Sequence, residues 1–205
     1  MKGNTAMKLN LSTKDLITTG VFSGLYFVIV TIITFSCMFL LPGLGNFLLP
    51  SVCALLVGPI YFVLLDRVPK FGVITILSSV MGVFMLLTGH FPLSFIPNFL
   101  FGILADCLTH IGSRNKVKDL AGYILFSFGL IGPLLPLWFM KDQYINDLVR
   151  RGKDTVYIDQ TFSYVSNSFL VIIILLILLL SIVGGLYGQK MVKKHFNKDG
   201  QECLD

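Results

Sequence analysis

Few side chains in this 205-residue chain could do chemistry, and their spacing keeps them apart. His90, His110 and His195 fall on different segments, and Glu202 is the only glutamate. No His-Glu-x-x-His is present to hold zinc, and no Gly-x-Ser-x-Gly to present a nucleophile. Cys37, Cys53, Cys107 and Cys203 form no Cys-x-x-Cys pair. Three of them lie in or beside apolar runs, where cysteine serves as a small packing residue. Gly184-Gly185-Leu186-Tyr187-Gly188-Gln189-Lys190 is glycine-rich, but its spacing is not that of a phosphate-binding loop. These patterns argue against ATP hydrolysis by this chain, and neither a metal nor a cofactor is expected.

The remaining polar groups suit binding better than catalysis. Asn46 and His90 sit in glycine- and proline-rich turns at residues 42–46 and 88–92, with Thr88 and Asn98 close by in sequence. Each can contact a ligand or simply cap a helix end. Trp138, the only tryptophan, is either an interfacial anchor or a wall on which a flat ligand stacks. Two further patterns concern shape. Gly20-x-x-x-Gly24, flanked by Thr19 and Ser23, and Gly184-x-x-x-Gly188 each put small residues on one helix face. Such a face lets another helix approach closely. Packing within the chain and docking to a partner both remain open for each.

The elements that must position these groups follow from composition. The chain is 55% hydrophobic and 13% charged, about half the charge of a soluble domain at roughly 25%. The charges cluster between six long apolar runs, near residues 16–41, 47–65, 71–88, 92–108, 120–140 and 168–188. A helical span needs about 17–25 apolar residues, so the pattern predicts an all-α integral membrane protein of six transmembrane helices. Pro50, Pro59, Pro92 and Pro97 predict kinks or late starts in the second and fourth spans. The first run, 26 residues, exceeds the roughly 7–15 of a signal-peptide core and reads as a retained helix.

Orientation follows from the basic residues. The N-terminal tail (1–15), the second and fourth connections and the C-terminal tail (191–205, with Lys190 just before it) hold twelve of the sixteen Lys and Arg. The fifth connection holds the other four: Lys141, Arg150, Arg151 and Lys153. The positive-inside rule then places both termini in the cytoplasm. The net charge of +5 thus reads as a topology and headgroup signal, not as affinity for nucleic acid. The fifth connection, 141–167, is long and carries Tyr144, Tyr157, Phe162 and Tyr164; its aromatics favour a folded outer cap over a solvated loop. Helix interiors hold almost no ionisable residues, which speaks against a free-standing proton-coupled carrier, an ion channel or a membrane hydrolase.

Several stretches resemble a known family: Lys70-Phe71-Gly72, Leu87-Thr88-Gly89-His90, Gly102-Ile103-Leu104-Ala105-Asp106 and Ile131-Gly132-Pro133-Leu134-Leu135-Pro136. They are similar to the Trep_Strep family of integral membrane proteins, which resemble substrate-binding S components of energy-coupling factor (ECF) importers. The resemblance implies an S-component-like six-helix bundle in the cell membrane. It would capture a vitamin or other micronutrient at the outer face. A transmembrane coupling subunit and two cytoplasmic ATPases would be its partners. S components carry an Ala-x-x-x-Ala docking face on the first helix; this chain has Gly20 and Gly24 there. By the same analogy the ligand region takes in Asn46, His90, Asn98, Trp138, Asp142 and Tyr144. Two other readings stand beside this one: a membrane-embedded enzyme acting on a lipid or hydrophobic small molecule, and an accessory membrane protein without a ligand.

Overall fold

A computed structural model describes residues 11–41, 44–88, 91–112 and 114–195. The described chain is built of helices. α1 (Thr13–Leu40) and α10 (Asn167–His195) are the long ones. Between them come α2 (Gly45–Leu56), α3 (Gly58–Arg67), α4 (Val73–Leu87), α5 (Phe95–His110), α6 (Lys116–Ser127), α7 (Leu135–Phe139), α8 (Lys141–Arg150) and α9 (Thr155–Ser163). By length and composition α1 and α10 can each cross a membrane, and so can α2 and α3 if counted together as one bent span. α4 and α5, at 15 and 16 residues, rise about 22–24 Å at 1.5 Å per residue, short of a hydrocarbon core of about 30 Å.

Local chemistry sets where these helices start. Ser12 and Asp15 form a capping box on α1: the Ser12 hydroxyl accepts from the Asp15 amide at 3.3 Å, and the Asp15 carboxylate accepts from the Ser12 amide at 2.7 Å. α6 begins behind Asn115, whose side chain accepts from the Lys118 amide at 2.9 Å. α4 lacks a cap of its own, because Gly72 precedes it in the left-handed conformation with φ 98°. Asp106 of α5 supplies the missing acceptor. Its carboxylate takes the Thr75 amide at 2.6 Å, the Thr75 hydroxyl at 2.5 Å and, more weakly, the Ile74 amide at 3.4 Å. Asp106 is fully buried, so a carboxylate at this depth is compensated by the unpaired amides of a helix start.

Two breaks have identifiable causes. α2 and α3 are bent by 45° at Val57-Gly58-Pro59, where Pro59 opens α3 in the first helical turn. The apolar run 120–140 is not one continuous helix. α6 ends at Ser127, a 3-10 turn follows over Phe128–Ile131, and α7 starts at Leu135. Pro133 and Pro136 lack the amide a continuous helix needs, and Gly132 lies so close to the backbone of Ser94 that a Cβ there would meet its carbonyl.

Contacts between elements sort the connections into two ends. At the basic end Lys70 Nζ pairs with Asp15 at 2.5 Å, Arg114 donates to the Leu65 carbonyl at 3.1 Å, and Gln189 donates to the Lys116 carbonyl at 2.7 Å. At the opposite end Gly45 donates to Leu41, and the Trp138 indole donates to Ser166 at 3.1 Å. Between the ends, Tyr26, Tyr61, Phe62, Tyr123 and Phe126 fill an aromatic core, and the Tyr123 hydroxyl donates to the Ala54 carbonyl at 2.6 Å.

Candidate functional site

The two small-residue faces have opposite fates. On α10, Gly184 and Gly188 are buried against the α2–α3 bend. A Cβ on Gly184 would run into the backbone carbonyls of Ala54 and Leu55, and one on Gly188 would come within 2.7 Å of Gly58. This face is consumed inside the fold. On α1, Gly20 and Gly24 are exposed, and a Cβ on either would meet nothing within 4 Å among the described residues.

The reason lies in which stripe of α1 the bundle uses. Thr19, Ser23, Tyr26, Val30, Ile33 and Cys37 are buried, at spacings of three and four that define one helix face. Gly20 and Gly24 fall one position off that stripe. They border an open groove of about 340 Å³ between α1 and α4, lined further by Ser23, Phe27, Val80 and Phe84. The Phe27 and Phe84 rings meet edge-on, their centroids 4.2 Å apart. Thr19 and Ser23 spend their hydroxyls on the carbonyls of Asp15 and Thr19, both at 2.8 Å. The groove is therefore apolar, shallow at the glycines and bounded by aromatic rings. Leu16, Val21, Leu25 and Val28 around it are exposed, as suits a surface solvated by lipid tails or by another helix. Phe27, Val80 and Phe84 are not legible as groove residues from sequence, because an apolar side chain in a membrane helix has the same composition whichever way it faces.

Of the other sequence candidates, Trp138 and Tyr144 come together in one cluster, while Asn46, Asn98 and Asp142 lie on different elements. His90 is outside the described residues. Asn46 is exposed at the start of α2, and Asp142 is exposed in the first turn of α8, where a carboxylate suits the helix dipole. Asn98 is buried, and its amide nitrogen contacts the Ser94 carbonyl at 3.2 Å and the Met85 sulfur at 3.6 Å. Its backbone carbonyl accepts from Ser78. The fold thus uses Asn98 to tie α4 to α5. Trp138 and Tyr144 share an aromatic cluster with Phe47, Phe162 and Phe169, over Ile131, Leu137 and Ile173. Trp138 meets Phe47 edge-on at 6.1 Å, and Tyr144 lies 6.4 Å from both Phe91 and Phe162. Burial pushes the Tyr144 hydroxyl above its ordinary pKa, and neighbouring Tyr157 adds to the rise. α8 and α9 are held to this cluster through Tyr144 and Phe162, with the Lys141 ammonium 5.1 Å from the Phe162 ring centre.

The residue that sequence reasoning passed over is Asp106. Its signal was present, as a carboxylate at the end of an apolar run, but nothing in the run names Thr75 as its partner. His110 packs on the same residue, with Nδ1 3.1 Å from the Asp106 backbone carbonyl and 3.6 Å from its carboxylate. Among the described residues no group of three or more His, Cys, Asp or Glu is arranged to hold a metal ion.

No curated protein matches the chain, and no solved structure does. Residues 13–198 match the Trep_Strep family, described as a hypothetical bacterial integral membrane protein. That match spans all but the first 12 and the last 7 residues, and its membrane character agrees with the two long apolar helices at either end of the fold; the chain belongs to the Trep_Strep family of bacterial integral membrane proteins.

Proposed function

We propose that this protein is the substrate-binding membrane subunit of an ECF-type importer. In this reading its six apolar runs, α4 and α5 with their flanking turns included, cross the cell membrane with both termini in the cytoplasm. It takes up a micronutrient at the end bearing α8 and α9, and docks through the α1 groove to a transmembrane coupling subunit. Two ATPase subunits supply the energy, and this chain is not itself an enzyme. The observation that carries the reading is the open Gly20/Gly24 groove. A helix face of glycines with open space beside it among the described residues leaves backbone accessible for close helix approach in lipid. The six apolar runs and the excess of basic residues at one end agree with it.

The test is co-purification. The chain is co-expressed with a coupling subunit and ATPase pair from a bacterium that encodes it, and the complex is recovered through a tag on the ATPase. Gly20→Leu/Gly24→Leu is expected to cut recovery at least tenfold while the isolated chain keeps its thermal stability. Undiminished recovery of the complex removes the docking assignment. One observation favours a second reading, an accessory protein without a small ligand: Phe47, Trp138, Tyr144 and Phe162 pack tightly where a ligand would sit. A thermal-shift screen of vitamins and cofactor precursors separates the two, since only a ligand-binding subunit is stabilised in proportion to ligand concentration.

A further inference from the structure

At the basic end a second groove lies between the start of α6 and the last turns of α10. It measures about 460 Å³ and is lined by Lys116, Leu186, Tyr187, Gln189, Lys190 and Lys193. The Gln189 amide fixes its floor by donating to the Lys116 carbonyl at 2.7 Å. Three lysines therefore face one concavity, and among the described residues none of them has a carboxylate partner. Asp119, one turn on from Lys116, is engaged by Arg114 at 3.0 Å. Lys116 and Lys193 also border an adjoining cavity of about 200 Å³ that holds Asp66, Arg114 and Asp119, but neither carboxylate lines this groove.

The groove continues into an apolar surface. Leu179, Val183 and Leu186 are 59%, 53% and 50% exposed. With Lys190 and Lys193 they repeat at spacings of four, three, four and three, which is one stripe of α10. That stripe runs from lipid-facing aliphatic side chains straight to the ammonium groups. Tyr187, 60% exposed, sits where the two meet, the level at which tyrosine prefers a membrane interface. A ligand matching this surface needs an anionic head and an aliphatic tail in one molecule. A free anion would leave the aliphatic stripe unused, and a neutral lipid would leave three positive charges unmatched.

We infer that the groove between α6 and α10 is a binding site for an anionic phospholipid, its phosphate held by Lys116, Lys190 and Lys193 and one acyl chain lying along Leu186, Val183 and Leu179. Basic pockets between membrane helices bind such headgroups by the same electrostatics. The inference is independent of any transport role, because it needs only the membrane character of the chain and the charge of this groove.

The test uses the full chain in neutral detergent, stripped of lipid and titrated with dioleoyl phosphatidylglycerol or dioleoyl phosphatidylcholine, with bound lipid counted by native mass spectrometry. Phosphatidylglycerol is expected to bind in preference to phosphatidylcholine. Lys116→Gln/Lys190→Gln/Lys193→Gln should weaken phosphatidylglycerol roughly 100-fold, about fivefold per lysine, and leave phosphatidylcholine unchanged. The corresponding triple arginine variant should bind as the native chain does. Lys141→Gln/Arg150→Gln/Lys153→Gln, at the other end, should also bind normally. If the triple glutamine variant does not purify, the exposed single change Lys190→Gln should still cost about fivefold. Equal binding of the two lipids, or retention of phosphatidylglycerol by the glutamine variants, overturns the proposal. So does full displacement by inorganic phosphate or by the deacylated headgroup, which would mark a free-anion site.

Discussion

The two glycine faces make a paired prediction with opposite signs. Adding one methyl group at Gly184 or Gly188 pushes a Cβ into backbone atoms of Ala54, Leu55 or Gly58. Backbone cannot swing aside as a side-chain tip can, so α10 must back away from the α2–α3 bend. Overpacking of this kind costs up to about 3 kcal/mol. Alanine returns about 1 kcal/mol of helix propensity, leaving a net loss of about 2 kcal/mol per substitution. At Gly20 and Gly24 nothing among the described residues lies within 4 Å of the added carbon. Only the propensity gain remains, about 0.4–1 kcal/mol each. For a chain of this size 1 kcal/mol moves Tm by about 2–4 °C. Gly184→Ala and Gly188→Ala should therefore each lower Tm by about 4–8 °C, while Gly20→Ala/Gly24→Ala should raise it by about 2–8 °C. The assay is thermal unfolding in detergent, followed by loss of the monodisperse peak on size-exclusion chromatography. If Gly20→Ala/Gly24→Ala destabilises the isolated chain as Gly184→Ala does, the α1 groove is filled from within and the docking argument collapses.

Other expectations follow from single contacts. Asp106→Ala strips the start of α4 of its buried acceptor; leaving the Thr75 amide unpaired should cost about 2–4 kcal/mol, and combining it with Thr75→Val should be non-additive by at least about 0.5 kcal/mol in a double-mutant cycle. Tyr123→Phe removes the donor to the buried Ala54 carbonyl and should cost about 1–2 kcal/mol by thermal unfolding. Trp138→Ala opens the cluster around Phe47 and frees the Ser166 carbonyl; a loss of about 2–3 kcal/mol is expected, with faster proteolysis in residues 141–166 as the local readout. Tyr144 has a pKa raised by burial above its ordinary value of 10.0. Its contribution to stability is complete below pH 10 and is lost as pH rises through the raised native value, because the unfolded chain ionises first. Comparing alkaline unfolding of the native chain with Tyr144→Phe should show the mutant losing less stability above pH 10.

Much about this protein was legible before any fold was seen. Half the usual charge, gathered between long apolar runs, requires a membrane, because such a chain cannot cover a water-facing surface. The positions of Lys and Arg separate two ends, and the hydrogen bonds at Lys70, Arg114 and Gln189 gather the basic connections at one of them. Helices lie within each apolar run, though prolines and glycines at 57–59 and 132–136 divide two of the runs more sharply than hydropathy suggests. What tertiary structure alone decided was which face of each helix points where. Gly20-x-x-x-Gly24 and Gly184-x-x-x-Gly188 read identically, yet one is open and the other is locked against the bend. Asn98, a candidate ligand contact in sequence, ties α4 to α5 in the fold, while Asp106, which the sequence did not single out, caps a neighbouring helix. The physical reason is the solvent. In water a buried face is apolar and an exposed face polar, so sequence reports orientation. In lipid both faces are apolar, packing and not hydrophobicity chooses between them, and that choice is made only when the helices meet.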